Sequence, residues 1–234
     1  MELLFDSNFE PGQTLCEEES RHCIKVLRHK VGDTIHITNG NGTLYTCKLI
    51  DANPRGCVAE IEKAETAPAP KVYLHIAVAP TKNTDRLEWF VEKAVEMGIS
   101  EISPIICKRS ERTALRIDRL QRIAVSACKQ SLKYSLPIIN EPMTFEQLVE
   151  RTSEEQRFIL HCLNTPKPHL FEAAKAKLST IVLIGPEGDF APEEIEKAHR
   201  KGFVECTLGE ERLRTETAAM VATHTIDLLN QITK

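Results

Sequence analysis

Three stretches of the chain combine polar side chains with positions at the ends of strand-like runs, and two of them carry glycines that let a ligand come close to backbone. They are Leu160-His161-Cys162-Leu163-Asn164, Ile184-Gly185-Pro186-Glu187-Gly188-Asp189-Phe190, and the longer run from Leu208-Gly209-Glu210-Glu211-Arg212 through Leu213-Arg214-Thr215-Glu216-Thr217-Ala218. In the second stretch two glycines permit close approach and Pro186 stiffens the turn between them. It matches neither G-x-x-x-x-G-K-[ST] nor G-x-G-x-x-G, so neither of those phosphate-binding chemistries is indicated. Taken alone, Gly-Pro-Glu-Gly also reads as a plain β-turn with Pro at its second position and Gly at its fourth. In the third stretch Thr215 is placed to N-cap a following helix and Glu216 to sit at its positive dipole end, which accounts for both without a ligand. Arg214 is not accounted for in this way. A cation at that end is unfavourable unless an anion or carboxylate visits it, although a solvated arginine also fits.

These stretches follow strand-like runs, so the elements around them decide whether they meet. After Thr66-Ala67-Pro68-Ala69-Pro70, which reads as an extended linker, strands alternate with helices. Val72–Ala79, Ile102–Ile106, Arg157–Cys162, Thr180–Ile184 and Phe203–Leu208 read as strands. Arg86–Met97 has apolar residues at helical spacing and ends at Gly98, a C-cap signal. Ile117–Leu132, a segment beginning near Pro192 with Glu193 and Glu194 in its first turn, and Thr215–Gln231 read as further helices. This alternation predicts an α/β domain over residues 71–234 with a mostly parallel sheet, whose ligands bind outside the carboxyl ends of the strands. Residues 1–68 read instead as a small β-barrel-like domain. Asp33–Thr38 and Gly42–Ile50 flank the hairpin signal Asn39-Gly40-Asn41-Gly42, and Gly56–Lys63 alternates again.

Composition narrows the class. The 234 residues are 41% hydrophobic and 27% charged, which fits neither bulk disorder nor a coiled-coil rod. The eight cysteines include no C-x-x-C pair, so no structural metal is expected, and they read as small core residues of a cytoplasmic protein. The opening MELLFDSNFE lacks the basic and apolar regions of a signal peptide, and no apolar run reaches bilayer length, so no membrane is expected. The formal charge of −4 argues against binding nucleic acid through net charge but not through patches. Residues 1–70 hold seven bases and eleven acids, whereas residues 71–234 hold twenty-three of each. Arg21–Lys30 carries bases without an acid, and Cys107–Ser135 carries eight bases against two acids. Arg112, Arg116 and Arg119 would share one helix face at i, i+4 and i+7.

The second and third stretches, joined by Leu27-Arg28 with Val31-Gly32-Asp33, Lys82 with Asp85-Arg86, Val91 through Gly98, Ser110-Glu111-Arg112 and Lys129-Gln130-Ser131, resemble the 16S rRNA (uracil-N3) methyltransferase family of the SPOUT class. The resemblance spans nearly the whole chain. It implies a PUA-like barrel joined to an α/β domain with a C-terminal trefoil knot, a homodimer, and S-adenosylmethionine held bent by the three loops. The substrate would be N3 of one uridine in 16S rRNA, as RNA or within the small ribosomal subunit. Cofactor contacts would come from Leu160, His161, Ile184, Gly185, Pro186, Gly188, Leu208, Gly209, Leu213, Thr215, Thr217 and Ala218. RNA contacts would come from Arg21, Lys25, Arg28, Lys82, Arg86, Arg109, Arg112 and Arg116. Uridine N3 is a poor nucleophile until its imide proton leaves, so Arg214 is assigned to the uridinate oxygens and Glu216 or Glu187 to the proton.

Three positions depart from the pattern. Asp189 replaces the second glycine of a common Gly-Gly-Phe, which suggests a turn of less positive φ. Glu210-Glu211 replace a common Pro-Arg pair, and Lys129 stands where an acid is frequent. Two rival readings are a SPOUT methyltransferase with another target base or RNA, and a non-catalytic RNA-binding assembly factor.

Overall fold

A computed structural model describes residues 1–10, 12–66 and 72–233. The chain divides into two compact units, Met1–Ala69 with Val125–Leu136, and Pro70–Ala124 with Pro137–Lys234. Beyond Thr66, the expected linker lies outside the described residues.

In the first unit, β1 (Leu3–Phe5), β2 (Thr34–Thr38), β3 (Thr43–Asp51) and β4 (Val58–Thr66) form a four-stranded sheet in that order. β1 runs parallel to β2, and the other pairs are antiparallel. Alternation along β2 and β3 buries Ile35, Ile37, Cys47 and Leu49 with Leu4, Phe9 and Leu15 in one core. The hairpin between β2 and β3 forms as expected, with Gly40 and Gly42 at φ +81° and +86°. A side chain at Gly40 would also strike the Phe5 ring at 2.9 Å. The basic segment begins as α1 (Glu17–Arg21), widens into one π turn at His22–Val26, and ends with Arg28 in the left-handed region at φ +63°. Within this unit Lys129 Nζ lies 2.6 Å from Glu19 Oε1, and both side chains are largely buried.

The second unit follows the order β5 (Leu74–Val78), α2 (Thr84–Met97), β6 (Glu101–Ile106), α3 (Ile117–Gln130), β7 (Ile138–Ile139), β8 (Met143–Thr144), α4 (Phe145–Arg151), β9 (Gln156–Leu160), α5 (Leu170–Ala173), β10 (Thr180–Ile184), α6 (Pro192–Arg200), β11 (Val204–Cys206) and α7 (Thr215–Ile232). The end of α3, from Val125, falls in the first unit. The strands form one sheet in the order β11-β9-β10-β5-β6-β7, with β8 also on β6. Every pairing in it is parallel. β5 and β10 are buried along their whole length, which is why they read as mostly apolar runs, broken only by His75 and Thr180 near their amino ends. The α2 helix buries Leu87, Phe90, Val91, Ala94 and Val95, is capped by the Asn83 side chain, and stops at Gly98 with φ +83°. The α4 helix starts at a capping box between Thr144 and Gln147. At the start of α6, Pro192 occupies the first turn, and Glu194 Oε2 accepts from the Ala191 N–H at 2.8 Å.

Candidate functional site

The register of the sheet creates the site. Leu160 pairs with both Ile184 and Cys206, so β9, β10 and β11 end level and their following loops start side by side. Those loops enclose a cavity of about 850 Å³. Leu160, His161, Ile184, Gly185, Pro186, Leu208, Gly209, Leu213, Thr215 and Ala218 line it, together with Glu187 and Arg214. Three expected residues do not. Gly188 faces Arg109, where an added Cβ would lie 3.2 Å from Arg109 Cβ, so its lack of a side chain serves that contact. Glu216 is buried on another side of the first turn of α7, with Oε1 3.8 Å from Arg86 Nε. Thr217 also lies outside the cavity lining. The lining includes residues that sequence reasoning left out, notably Cys162, Lys167, Asp189 and Thr207. Of these four, Cys162 and Asp189 lie within the three stretches, and no local signal marks Lys167 and Thr207.

The loops are fixed by specific bonds. Thr215 is not the N-cap of α7. That position belongs to Arg214, whose carbonyl accepts from the Ala218 N–H at 2.8 Å. Thr215 is buried and its Oγ1 donates to Gly185 O at 3.1 Å, tying the start of α7 to the loop after β10. The His161 side chain is fully buried, with Nε2 2.9 Å from Glu205 Oε2. Its Nδ1 accepts from the Leu163 N–H at 3.3 Å, so Nε2 carries the proton donated to Glu205. Asp189 keeps a positive φ of +62°, contrary to the less positive turn expected from its departure from glycine. Aspartate tolerates that region because its short carboxylate bonds nearby backbone. Here Oδ1 accepts from the Phe190 N–H at 2.8 Å and Oδ2 from the Cys162 N–H at 2.9 Å. Glu187 Oε1 accepts from the Lys82 N–H at 2.9 Å. Arg214 is exposed and, among the described residues, pairs with no carboxylate.

The arginine stripe expected at 112, 116 and 119 does not form, because α3 begins only at Ile117. Arg112 lies before the helix and donates through Nε and Nη2 to Lys82 O, at 3.2 and 3.0 Å. Arg116 and Arg122 converge on Asp118 at 3.1 and 2.5 Å, and their hydrogen bonds hold that carboxyl below the usual range. Arg119 pairs with Glu88. Arg109 Nη1 donates to Gly188 O at 3.0 Å and Phe190 O at 3.3 Å, bracing the loop after β10 from outside. Lys82 pairs with Glu111 at 2.9 Å, which raises its ammonium above the ordinary value. In the first unit Arg21 pairs with Glu17 at 2.8 Å. Lys25 and Arg28 pair with no carboxylate among the described residues.

Among the described residues one group, His75 with Glu101 and Glu154, has the spacing of a metal cluster. It lies at the amino ends of β5, β6 and β9, away from the cavity. Its atoms bond one another, with His75 Nδ1 2.6 Å from Glu154 Oε1 and Nε2 2.8 Å from Ser103 Oγ. No described helix is long and apolar enough to cross a membrane.

Known proteins share this arrangement. Residues 68–227 match an RNA methyltransferase domain, and residues 15–62 an RNA methyltransferase PUA domain. The ribosomal RNA small subunit methyltransferase E of Mesomycoplasma hyopneumoniae is 31% identical over 205 residues, covering 80% of this chain and 85% of that one. A probable rRNA-methyltransferase from Porphyromonas gingivalis superposes with a TM-score of 0.95 at 34% identity, covering 100% of both chains. The Neisseria gonorrhoeae ribosomal RNA small subunit methyltransferase E bound to S-adenosyl methionine superposes with a TM-score of 0.86 at 26% identity, covering 98% of both. The α/β sheet, the cavity at its carboxyl edge and these matches together make the chain a member of the RNA methyltransferase family.

Proposed function

We propose that this protein transfers a methyl group from S-adenosylmethionine to N3 of a specific uridine in small-subunit (16S) ribosomal RNA. The observation that carries the reading is the cavity of about 850 Å³ bounded by the three loops. Its volume suits a ligand of that size. Its walls supply what such a ligand needs: apolar Leu160, Ile184, Leu208 and Leu213, with backbone groups of Gly185, Pro186 and Gly209 between them. When bound, S-adenosylmethionine supplies an activated methyl on a sulfonium, so the protein's own task is alignment and charge. Arg214 stands at the cavity, pairs with no carboxylate among the described residues, and stabilises the uridinate oxygens. Glu187 borders the cavity with Asp189, Glu210 and Glu211; both Asp189 oxygens are taken by backbone N–H groups, and Glu187 takes the imide proton through the oxygen not held by the Lys82 N–H. Glu216, turned toward Arg86, supports the start of α7 instead.

The same reading extends to the rest of the chain. Residues 1–68 act as a PUA-like barrel that grips RNA through Arg21, Lys25 and Arg28, with Lys82, Arg109 and Arg116 adding charge from the methyltransferase domain over 71–234. The C-terminal segment threads a trefoil knot, a reading supported by the Thr215 bond to Gly185 and by the placement of β10 between β9 and β5. The protein works as a homodimer in the cytoplasm and requires no metal. Nucleoside mass spectrometry of 16S rRNA and of 30S subunits, incubated with the protein and labelled donor, tests this. N3-methyluridine is the expected product. Another methylated base would redirect the reading to a different target, and no methylation with RNA binding intact would turn it to an assembly factor.

A further inference from the structure

We propose that Asp189 is a positioning residue for the cofactor cavity, latching the loop after β9 to the loop after β10 through the Cys162 N–H. The inference rests on the cavity being the S-adenosylmethionine site. Asp189 sits in the left-handed region at φ +62°, which glycine adopts without strain and aspartate only with local compensation. The compensation is complete: the Asp189 N–H donates to Pro186 O at 2.9 Å, and Oδ1 accepts from the Phe190 N–H at 2.8 Å. Those two bonds stay within one turn. The third, from the Cys162 N–H to Oδ2 at 2.9 Å, reaches a residue 27 positions earlier.

Among the described residues, no other side chain of either loop bonds the other loop. The segment from Cys162 to Pro166 is exposed, so little packing holds it. Its other bonds stay within the segment and its own base: the Leu163 N–H and Lys167 Nζ on His161 Nδ1, and the Thr165 N–H and Lys167 Nζ on Leu163 O. Without the carboxylate the loop after β10 keeps its shape, since Arg109 braces Gly188 and Phe190 from outside. The loop after β9 instead loses its registration against it. A wall of the cavity then has to be ordered by the ligand, and ordering lowers affinity without altering the chemistry.

The test compares the wild type with Asp189→Gly and Asp189→Asn. Glycine removes the latch and the backbone strain together, so Asp189→Gly melts no lower than the wild type yet binds S-adenosylmethionine about tenfold more weakly by calorimetry. KM for the donor rises while kcat stays within about twofold. Asp189→Asn keeps a carbonyl oxygen for the Cys162 N–H and lies between the two. Amide hydrogen exchange at Cys162, read without ligand, speeds up in Asp189→Gly and is largely restored in Asp189→Asn. Unchanged exchange at Cys162, or donor affinity within twofold of the wild type, overturns the latch. If the wild type itself fails to bind the donor, the cavity assignment falls, and the proposal that depends on it falls with it; exchange at Cys162 then still tells whether the hydrogen bond exists.

Discussion

Replacing Arg214 by alanine should move stability and activity in opposite directions. Arg214 is the N-cap residue of the 18-residue helix α7, contributes no side-chain cap, and has no carboxylate partner among the described residues. A cation at a helix N-terminus opposes the macrodipole by about 0.3–1 kcal/mol at low salt. Alanine removes that repulsion and breaks no bond. For a chain of this size, 1 kcal/mol corresponds to about 2–4 °C in Tm, so the variant should melt about 1–4 °C higher, with the gain fading as salt rises. In the reaction, the lost guanidinium is a donor to oxygens that become negative only as N3 loses its proton. Removing one such donor typically costs about a hundred- to a thousandfold in kcat, or about 2.7–4 kcal/mol. Affinity for S-adenosylmethionine should change less than twofold, because the charge answers the nucleobase. Single-turnover methylation, donor calorimetry and a melt in 20 mM and 1 M salt would test this together, 20 mM and 1 M being about a Debye length of 20 Å and 3 Å. Arg214→Lys should recover part of the rate and lose the gain in Tm. A lower Tm in Arg214→Ala, a kcat within threefold of the wild type, or an equal loss of donor affinity would refute the assignment.

Further consequences are open to direct measurement. Lys129→Ala should cost about 3 kcal/mol in urea denaturation, because it leaves the Glu19 carboxylate, only 10% exposed, without its ion partner; Glu19→Gln with Lys129→Met should return close to wild type. Burial pushes Glu154 up, but its bonds to His75 and to backbone N–H groups outweigh that and leave it below the ordinary 4.5. Its contribution is therefore complete above pH 4.5 and lost as pH falls through the lowered value, so His75→Gln should flatten the acid side of a Tm-against-pH curve. Burial raises the Cys23 and Cys206 thiols to about 12 and those of Cys47 and Cys128 to about 11, and it also raises the thiol of exposed Cys16, so iodoacetamide at about pH 8 should react first at exposed Cys162. S-adenosylhomocysteine should protect Cys162 and not Cys16; equal labelling of Cys162 with and without it would count against the cavity as the cofactor site.

What could be read from sequence follows the range of the forces involved. β5 and β10 are legible because a parallel strand covered on both faces is apolar nearly throughout, and α2 because its buried stripe and the left-handed Gly98 both act within a few residues. β1, β7 and β8 are two or three residues long and exist only through partners elsewhere, so no window contains their signal. The arginine stripe fails for a related reason. Spacing of i and i+4 places side chains together only inside a helix, and the helix starts one residue after Arg116. The three loops of the cavity were visible as polar segments at strand ends, two of them bearing glycine, since parallel topology brings adjacent carboxyl ends to one edge.

The bonds that shape the site were not visible, because they link positions far apart in the chain: Arg109 with Gly188, Glu187 with Lys82, Thr215 with Gly185. Two departures from the resembled family make physical sense only at that range. Lys129 is tolerable where an acid is common because Glu19, 110 positions away, supplies the opposite charge beside it. Asp189 is tolerable where glycine is common because Phe190 and Cys162 present N–H groups to both of its oxygens. In each case a substitution that looks like a defect in its own segment is compensated by a neighbour in space. Exchanging either residue for the common one should therefore be costly where the partner is charged and buried, as at Glu19. It should be nearly free for stability where the partner is an exposed amide, as at Cys162.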